Sequence, residues 1–329
     1  MRIVAGMDEA GYGPLLGPLV VCCWAFQVHD DANANDDWWQ RLSGAVCRRP
    51  NDHKGRIAID DSKTLKGAKG SAAHPLRHLE RGVLAALGSM GSSTNEMIIP
   101  DGEAALLNQL SMDGPVDLPW YEQTDPVQLP LCHTRDDLAL AANRLRRAFD
   151  HAGVHPIGCR AVLVEPKDLN RIAHAAGSKG AVNGWAAMRL ASRLRATYPD
   201  VPIDLACDRH GGRMHYREEL ARAFPDAVVR VMDETERASE YELRETRGSM
   251  RVHFETEADA RHLPVALASM TAKYLRELRM ARLNAFFAHH MPGLAPTAGY
   301  VQDGRRFLAQ IEPLIASTGV ARECLVRAV

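Results

Sequence analysis

The sequence predicts an α/β fold, a central mixed β-sheet flanked by helices, and three observations carry that expectation. From Arg160 onward, strand-like and helix-like segments alternate, as they do when helices are laid over a sheet. Two apolar runs, Arg2 to Asp8 and Leu19 to Val28, are joined by a Gly/Pro-rich stretch with no room for a helix, so they must pair antiparallel. Val265 to Ala288 reads as one long helix.

In order along the chain, Arg2 to Asp8 is a strand with Ile3, Ala5 and Met7 on one face and Val4, Gly6 and Asp8 on the other. Gly11 to Pro18 is a loop, because Pro14 and Pro18 lack amide donors and three glycines permit unusual backbone angles. The spacing of Gly11, Gly13 and Gly17 misses the dinucleotide-binding fingerprint, and Pro14 sits where its helix should open. Residues 30–56 are polar and irregular, with a short helix around Trp38 to Val46. Ile57 to Lys69 is a short strand running into a basic loop. Pro75 to Leu87 is helical, with Leu76, Leu79, Val83 and Leu87 at helical spacing.

Residues 89–134 are dense in Gly, Pro, Ser and Asp and read as an inserted excursion rather than core. Arg135 to His151 returns to a helix. There follow a strand at Arg160–Val164, a helix at Lys179–Tyr198, a strand at Pro202–Asp208, a helix at Tyr216–Phe224 and a strand at Ala227–Met232. Tyr241 to Glu255 is a hairpin turning near Arg247, Gly248 and Ser249, and Phe307 to Ser317 is a late helix. The expected organisation is a single domain over 1–329, with the insertion at about 89–134 and a helical part at about 290–329.

Of the 329 residues, 46% are hydrophobic and 25% charged, and the formal net charge is −1. No global basic field exists, so any nucleic-acid surface must be local. Seven cysteines, an odd number, include the vicinal pair Cys22-Cys23 and no CxxC, which suits reduced thiols better than a disulfide framework. The opening MRIVAGMDE is a poor signal peptide, since two acids interrupt its apolar run. Leu15 to Phe26 is broken by Gly17 and Pro18 and is too short to span a bilayer. The expectation is a cytoplasmic protein with no membrane association, and nothing in the sequence requires an obligate protein partner.

The chemistry is expected at the acids. Asp8 closes the first strand, Asp208 closes IDLACD, and Glu277 lies within ASMTAKYLRELRM. Strand-end acids fall at one edge of a sheet, and a helix across that edge adds another. Ser269, Lys273 and Glu277 are four apart and stack on one helix face. Such carboxylates suit Mg²⁺ or Mn²⁺, hard cations that take oxygen ligands. Two ions about 3.5–4 Å apart would serve phosphodiester hydrolysis. Spacing alone leaves open whether these acids bind metal or merely cap turns.

MDEAGYGPLLGPLVV resembles the opening motif of the type 2 ribonucleases H (ribonucleases HII and HIII), an Asp-Glu pair before a Gly-x-Gly-Pro loop. Four later segments are similar to the family's motifs in the same order: DDSKTL at 60–65, IDLACD at 203–208, HFETEADARHLPVALASMTAKYLRE at 253–277 and PTAGY at 296–300. The resemblance implies a ribonuclease H-like fold and hydrolysis of the RNA strand of RNA/DNA hybrids by two Mg²⁺ or Mn²⁺ ions, leaving 3′-hydroxyl and 5′-phosphate ends. Carried over by position, it implies Asp8, Glu9, Asp208 and Glu277 as catalytic metal ligands, Glu9 through its side chain or its backbone carbonyl. It also implies substrate contacts from Lys63, Ser62, Ser269, Lys273, the Gly11, Tyr12 and Gly13 loop facing the ribose hydroxyl, and Tyr300 against a sugar.

The sequence departs from the family where Tyr12 stands in place of a usual Arg, Gln302 in place of Thr and Glu257 in place of a frequent Lys. Two other functions stay open: a nuclease of this fold acting on DNA or structured RNA, and a hybrid-binding protein without turnover. Arg276, Arg279 and Arg282 read either as phosphate grips or as a solvated helix face, with solvation favoured for all three. Trp38-Trp39 and Trp120-Tyr121 read as packing. His210 and His253 lie near the acids in sequence, where a histidine could assist proton transfer.

Overall fold

The computed structural model describes residues 1–29, 37–50, 52, 54–67, 73–90, 97–112 and 117–328; parts of the polar stretch 30–56, of the segment 57–69 and of the insertion 89–134 lie outside the described residues. The strands are β1 (Arg2–Ala10), β2 (Leu19–Val28), β3 (Val46–Cys47), β4 (Ile57–Ala58), β5 (Val154–Val164), β6 (Ile203–Asp208), β7 (Val228–Glu234), β8 (Ala238–Glu245) and β9 (Gly248–Glu255). Seven of them form one mixed sheet in the order β5-β2-β1-β6-β9-β8-β7, and β3 and β4 pair separately. β1 and β2 are antiparallel, as the short Gly/Pro connection requires, while β1–β6 and β6–β9 are parallel.

The helices before the last parallel strands are α1 (Trp38–Arg41), α2 (Ser62–Leu65), α3 (Arg77–Ser89), α4 (Glu103–Gln109), α5 (Pro119–Glu122), α6 (Arg135–Ala152), α7 (Pro166–Ala176), α8 (Gly180–Thr197) and α9 (Arg217–Ala223). After β9 come a 3₁₀ turn (Ala258–Ala260), α10 (Leu263–His290), α11 (Val301–Ser317) and α12 (Arg322–Leu325). β5 begins six residues before the expected strand, and α7, which opens on Pro166 and closes on a left-handed Gly177, is an element the pattern reading omits.

Each face of the sheet buries its own cluster. Ala10, Cys22, Trp24 and Phe26 pack with Leu79 and Val83 of α3, Leu145 of α6 and Leu267 of α10. Ile3, Ala5 and Met7 face Val182, Ala186 and Leu190 of α8 on the other side. A third cluster joins Leu16, Trp120, Phe286, Phe287 and Phe307 around the far half of α10. Because α10 is covered nearly all round, it carries apolar residues on every face. It also lies directly on β1: a Cβ at Gly6 would meet the Val265 nitrogen at 2.2 Å, so only glycine permits this approach.

Two expectations are corrected here. The described part of 89–134 is core rather than excursion, since Leu106, Leu110, Trp120 and Leu129 are buried. Arg276, Arg279 and Arg282 are not a solvated face. All three are buried, and Glu103 of α4 accepts from Arg279 (3.0 Å) and Arg282 (2.6 Å). Removing one partner from such a buried group strands the others without compensation, at about 3–5 kcal/mol. The α4 acid and the α10 arginines therefore explain one another. Both tryptophan pairs pack as expected, with Trp39 Nε1 donating to the Ile59 carbonyl (2.7 Å).

Glu165, which precedes α7, extends this network. Its carboxylate accepts from the Tyr121 hydroxyl (2.7 Å), with Arg279, Arg327 and Asp168 in its field, and burial pushes it up to about 7. Folded protein thus holds a proton on Glu165 that unfolded protein releases near 4.5, so this site's contribution to stability falls as pH rises from about 4.5 to about 7. Glu165→Gln removes that dependence. Urea midpoints measured from pH 4.5 to 8 should converge on wild type at the acid end and exceed it at the alkaline end; parallel profiles would contradict the assignment.

Candidate functional site

The parallel register of β1 and β6 pairs Met7 with Cys207, which sets Asp8 beside Asp208 where that pairing stops; β1 itself continues to Ala10, two residues beyond the expected strand end. Asp8 is buried, its Oδ1 accepting the Glu9 amide (2.7 Å). Asp208 Oδ1 accepts the Ala258 amide (3.0 Å), tying the strand end to the 3₁₀ turn before α10. That turn carries Asp259. Asp8, Glu9, Asp208 and Asp259 line one cleft of about 290 Å³, together with Gly11, Tyr12, Gly13, Ser62, Lys63, Ser269, Lys273 and Tyr300.

The electrostatics are those of crowded acids. Burial, then the charges of Glu9 and Asp208, push Asp8 well above the usual carboxylate range, and the Ser269 hydroxyl pulls it back. Burial raises Glu9 to about 7 with help from Asp208. The Asn183 amide, fully buried on α8 and outside strict hydrogen-bond geometry with any group, is the strongest opposing influence on Glu9. Asp208 is raised by burial against the Ala258 amide and Lys63. Asp259 is raised to about 6 by burial and by Asp61 and Asp208. Carboxylates raised by desolvation and mutual repulsion in a cleft are groups that gain from a cation.

Around them, Asp61 caps α2, accepting the Lys63 amide (3.0 Å), so Ser62 turns inward and Lys63 outward. The Ser269 hydroxyl donates to Ser62 Oγ (3.1 Å), joining α10 to that loop. Tyr12 is exposed with Lys179 Nζ 5.5 Å from its ring centre, and Lys273 Nζ lies 6.0 Å from that of Tyr300.

Of the residues that the resemblance assigns to the site, one falls elsewhere. Glu277 does not line the cleft; it accepts from Lys66 (2.7 Å) and lies 3.1 Å from Lys273. Burial opposes its ionisation, but Lys273 and Lys66 outweigh burial and hold its carboxyl below the usual range. A carboxylate already neutralised by two ammonium groups is poorly placed to take a metal ion. Asp259 lines the cleft instead. The signal for it was its place in the EAD triplet between β9 and the long helix, nearer the strand-end acids than any residue of that helix. His210 and His253 are also outside the cleft lining; His210 packs edge-on against the stacked rings of Tyr216 and Phe254, and burial pushes it down to about 4.

Among the described residues, a separate group with ligand atoms mutually within 4.8 Å is Glu80, Cys132 and His133. Glu80 there already accepts from the Leu131 amide (2.6 Å), the Cys132 amide (2.9 Å) and the Tyr274 hydroxyl (2.9 Å). It is a satisfied structural carboxylate. Among the described residues no helix is long and apolar enough to cross a membrane.

No protein-family profile and no curated protein matches the chain. Solved structures to which it is similar include ribonuclease HII of Archaeoglobus fulgidus in complex with PCNA, at 17% identity and TM-score 0.43 over 99% of this chain and 94% of that one. Ribonuclease H2 of Pyrococcus horikoshii OT3 is similar at 14% identity and TM-score 0.40, over 99% and 93%. Bst-RNase HIII in complex with Mn²⁺ is similar at 13% identity and TM-score 0.40, over 99% of this chain and 66% of that one. At this depth the likeness carries no functional weight.

The repulsion among the acids predicts an effect on stability. Asp8→Asn removes one of the crowded charges, so the chelator-treated variant should unfold a few degrees above wild type. Mn²⁺ should raise the unfolding temperature of wild type more than that of the variant. A lower unfolding temperature together with an unchanged response to Mn²⁺ would contradict this reading of the cleft.

Proposed function

We propose that the protein is a metal-dependent nuclease that hydrolyses the RNA strand of RNA/DNA hybrids, with Asp8, Glu9, Asp208 and Asp259 holding Mg²⁺ or Mn²⁺. One observation carries the reading: five acids from four separate segments, Asp8 and Glu9, Asp61, Asp208 and Asp259, share a cleft with Ser62, Lys63 and an exposed Gly-Tyr-Gly loop. The donor set fits hard cations, because it is wholly oxygen and because burial and mutual repulsion push its carboxyl groups above their usual range. When bound, such ions activate water and stabilise a leaving oxygen in phosphodiester hydrolysis.

The chain's own groups bind and orient. Lys63 offers an exposed ammonium at the cleft, suited to a substrate phosphate as a point charge. The backbone of Gly11, Tyr12 and Gly13 faces the sugar edge, where a 2′-hydroxyl distinguishes RNA from DNA. Tyr300, half exposed above Lys273, lies against a neighbouring sugar. Ser269 and Ser62 fix the inner wall, and Lys273, through Glu277, fixes the outer one.

A second reading, cleavage of DNA or structured RNA, is favoured by Tyr12 itself: an uncharged ring in the loop changes what the sugar edge meets. Incubation with labelled RNA/DNA, DNA/DNA, RNA/RNA and single-ribonucleotide duplexes in Mg²⁺, Mn²⁺ or EDTA separates the readings. Metal-dependent cleavage of the hybrid that Asp8→Asn abolishes supports the first. DNA/DNA cleavage points to the second, and hybrid binding without cleavage under either metal would refute both.

The two late acids should separate in the same assay. Asp259→Asn lowers kcat by about a hundredfold or more, as loss of a direct electrostatic partner of the reaction does. Glu277→Gln stays within about tenfold of wild type, since it loses a lysine partner rather than a metal ligand. The reverse order would return Glu277 to the site.

A further inference from the structure

A loop that presents its amides to a cleft turns carbonyls the other way, and those carbonyls need donors. In the loop between β1 and β2 the donors are two buried guanidinium groups from distant parts of the chain. Arg276 of α10 donates to the Leu16 carbonyl (3.2 Å) and the Pro18 carbonyl (3.3 Å), and also to Ala298 (3.1 Å). Arg327, in the segment after α12 and 2% exposed, reaches both ends of the loop at once. Its Nε and Nη2 donate to the Gly17 carbonyl (2.9 and 2.6 Å), and its Nη1 donates to the Gly11 carbonyl.

We propose that Arg327 is a positioning residue for substrate, a staple whose planar fork closes the Gly11–Gly17 loop and so fixes the face that Gly11, Tyr12 and Gly13 turn to the cleft. The inference rests on the reading of that loop as the substrate reader. Three features of the surroundings support it. The fork itself is held: the Arg327 amide donates to the Leu15 carbonyl (3.0 Å), and Asn170 of α7 clamps the residues on either side, accepting from the Ala328 amide (2.7 Å) and donating to the Val326 carbonyl (2.9 Å). Gly11 has φ +96°, and a Cβ there would meet Arg276 Nε at 2.6 Å, so the loop is shaped to admit the guanidinium pair. The pair is also costly, since burial and the neighbouring Arg276 charge push Arg327 down to about 9. Two buried cations side by side are retained against that repulsion, and the carbonyls they hold are those of the loop at the acids.

Lysine keeps the charge but cannot bridge Gly11 and Gly17 together. In the full chain, Arg327→Ala should speed hydrogen exchange across residues 10–18 by about tenfold or more, with β6 and α10 unchanged. In hybrid hydrolysis KM should rise about tenfold while kcat moves little, because what is lost is the ordered loop face that binds ground state and transition state alike. Arg327→Lys, the variant to use should the alanine form fail to fold, should fall between the two in both measurements. Unchanged exchange in the loop, or a fall in unfolding temperature with KM and kcat unaltered, would overturn the proposal. Exchange is read without turnover, so it decides the staple even if no hybrid is cleaved; faster loop exchange in a protein that cleaves no hybrid would support the staple and refute only the nuclease reading.

Discussion

The parallel pairing of β1 with β6 is the constraint on which the rest depends. It stops at Met7 and Cys207 and so places a buried Asp8 beside a half-buried Asp208. Like charges in that position oppose folding unless a proton or a cation intervenes. The neighbouring structure softens the repulsion without removing it: Ser269 and the Glu9 amide on Asp8, the Ala258 amide on Asp208, Lys63 in the field of several. Sites that keep such unrelieved charge are characteristic of function rather than of stability.

The second organising element is α10. It touches β1 through the glycine gap at Gly6, carries Ser269 to Asp8, and its arginines reach outward into the chain on either side. Arg279 and Arg282 fasten the inserted segment through Glu103, while Arg276 fastens the loop between the first two strands and the Ala298 carbonyl. The segment that carries Glu103 is thereby joined to the helix that walls the cleft, through one acid and two guanidinium groups.

The sheet edge and most of the cleft were legible in the sequence, for physical reasons. A Gly/Pro loop between two apolar runs leaves no option but a hairpin, and acids that close strands must gather at the edge where those strands run parallel. Asp8, Glu9, Asp208, Ser62, Lys63, Ser269, Lys273 and Tyr300 all arrive at the cleft lining. Glu277 did not, because helical spacing places it on the face of Lys273 without revealing that Lys66 comes from another segment to neutralise it. Asp259 escaped notice because it lies in a 3₁₀ turn entered through a left-handed Glu257, where no periodicity assigns a side chain to a face. The buried arginines were misread for a related reason. Charge on a helix suggests water unless the partner is known, and Glu103 lies far away in sequence, in a stretch whose composition resembles loop.

Anomalous diffraction from crystals equilibrated with Mn²⁺ would locate the cation site outright. Manganese density is expected among Asp8, Glu9, Asp208 and Asp259, with the Lys66 and Lys273 contacts of Glu277 intact. Density at Glu277 without Asp259, or at Glu80 and Cys132 with none in the cleft, would contradict that expectation.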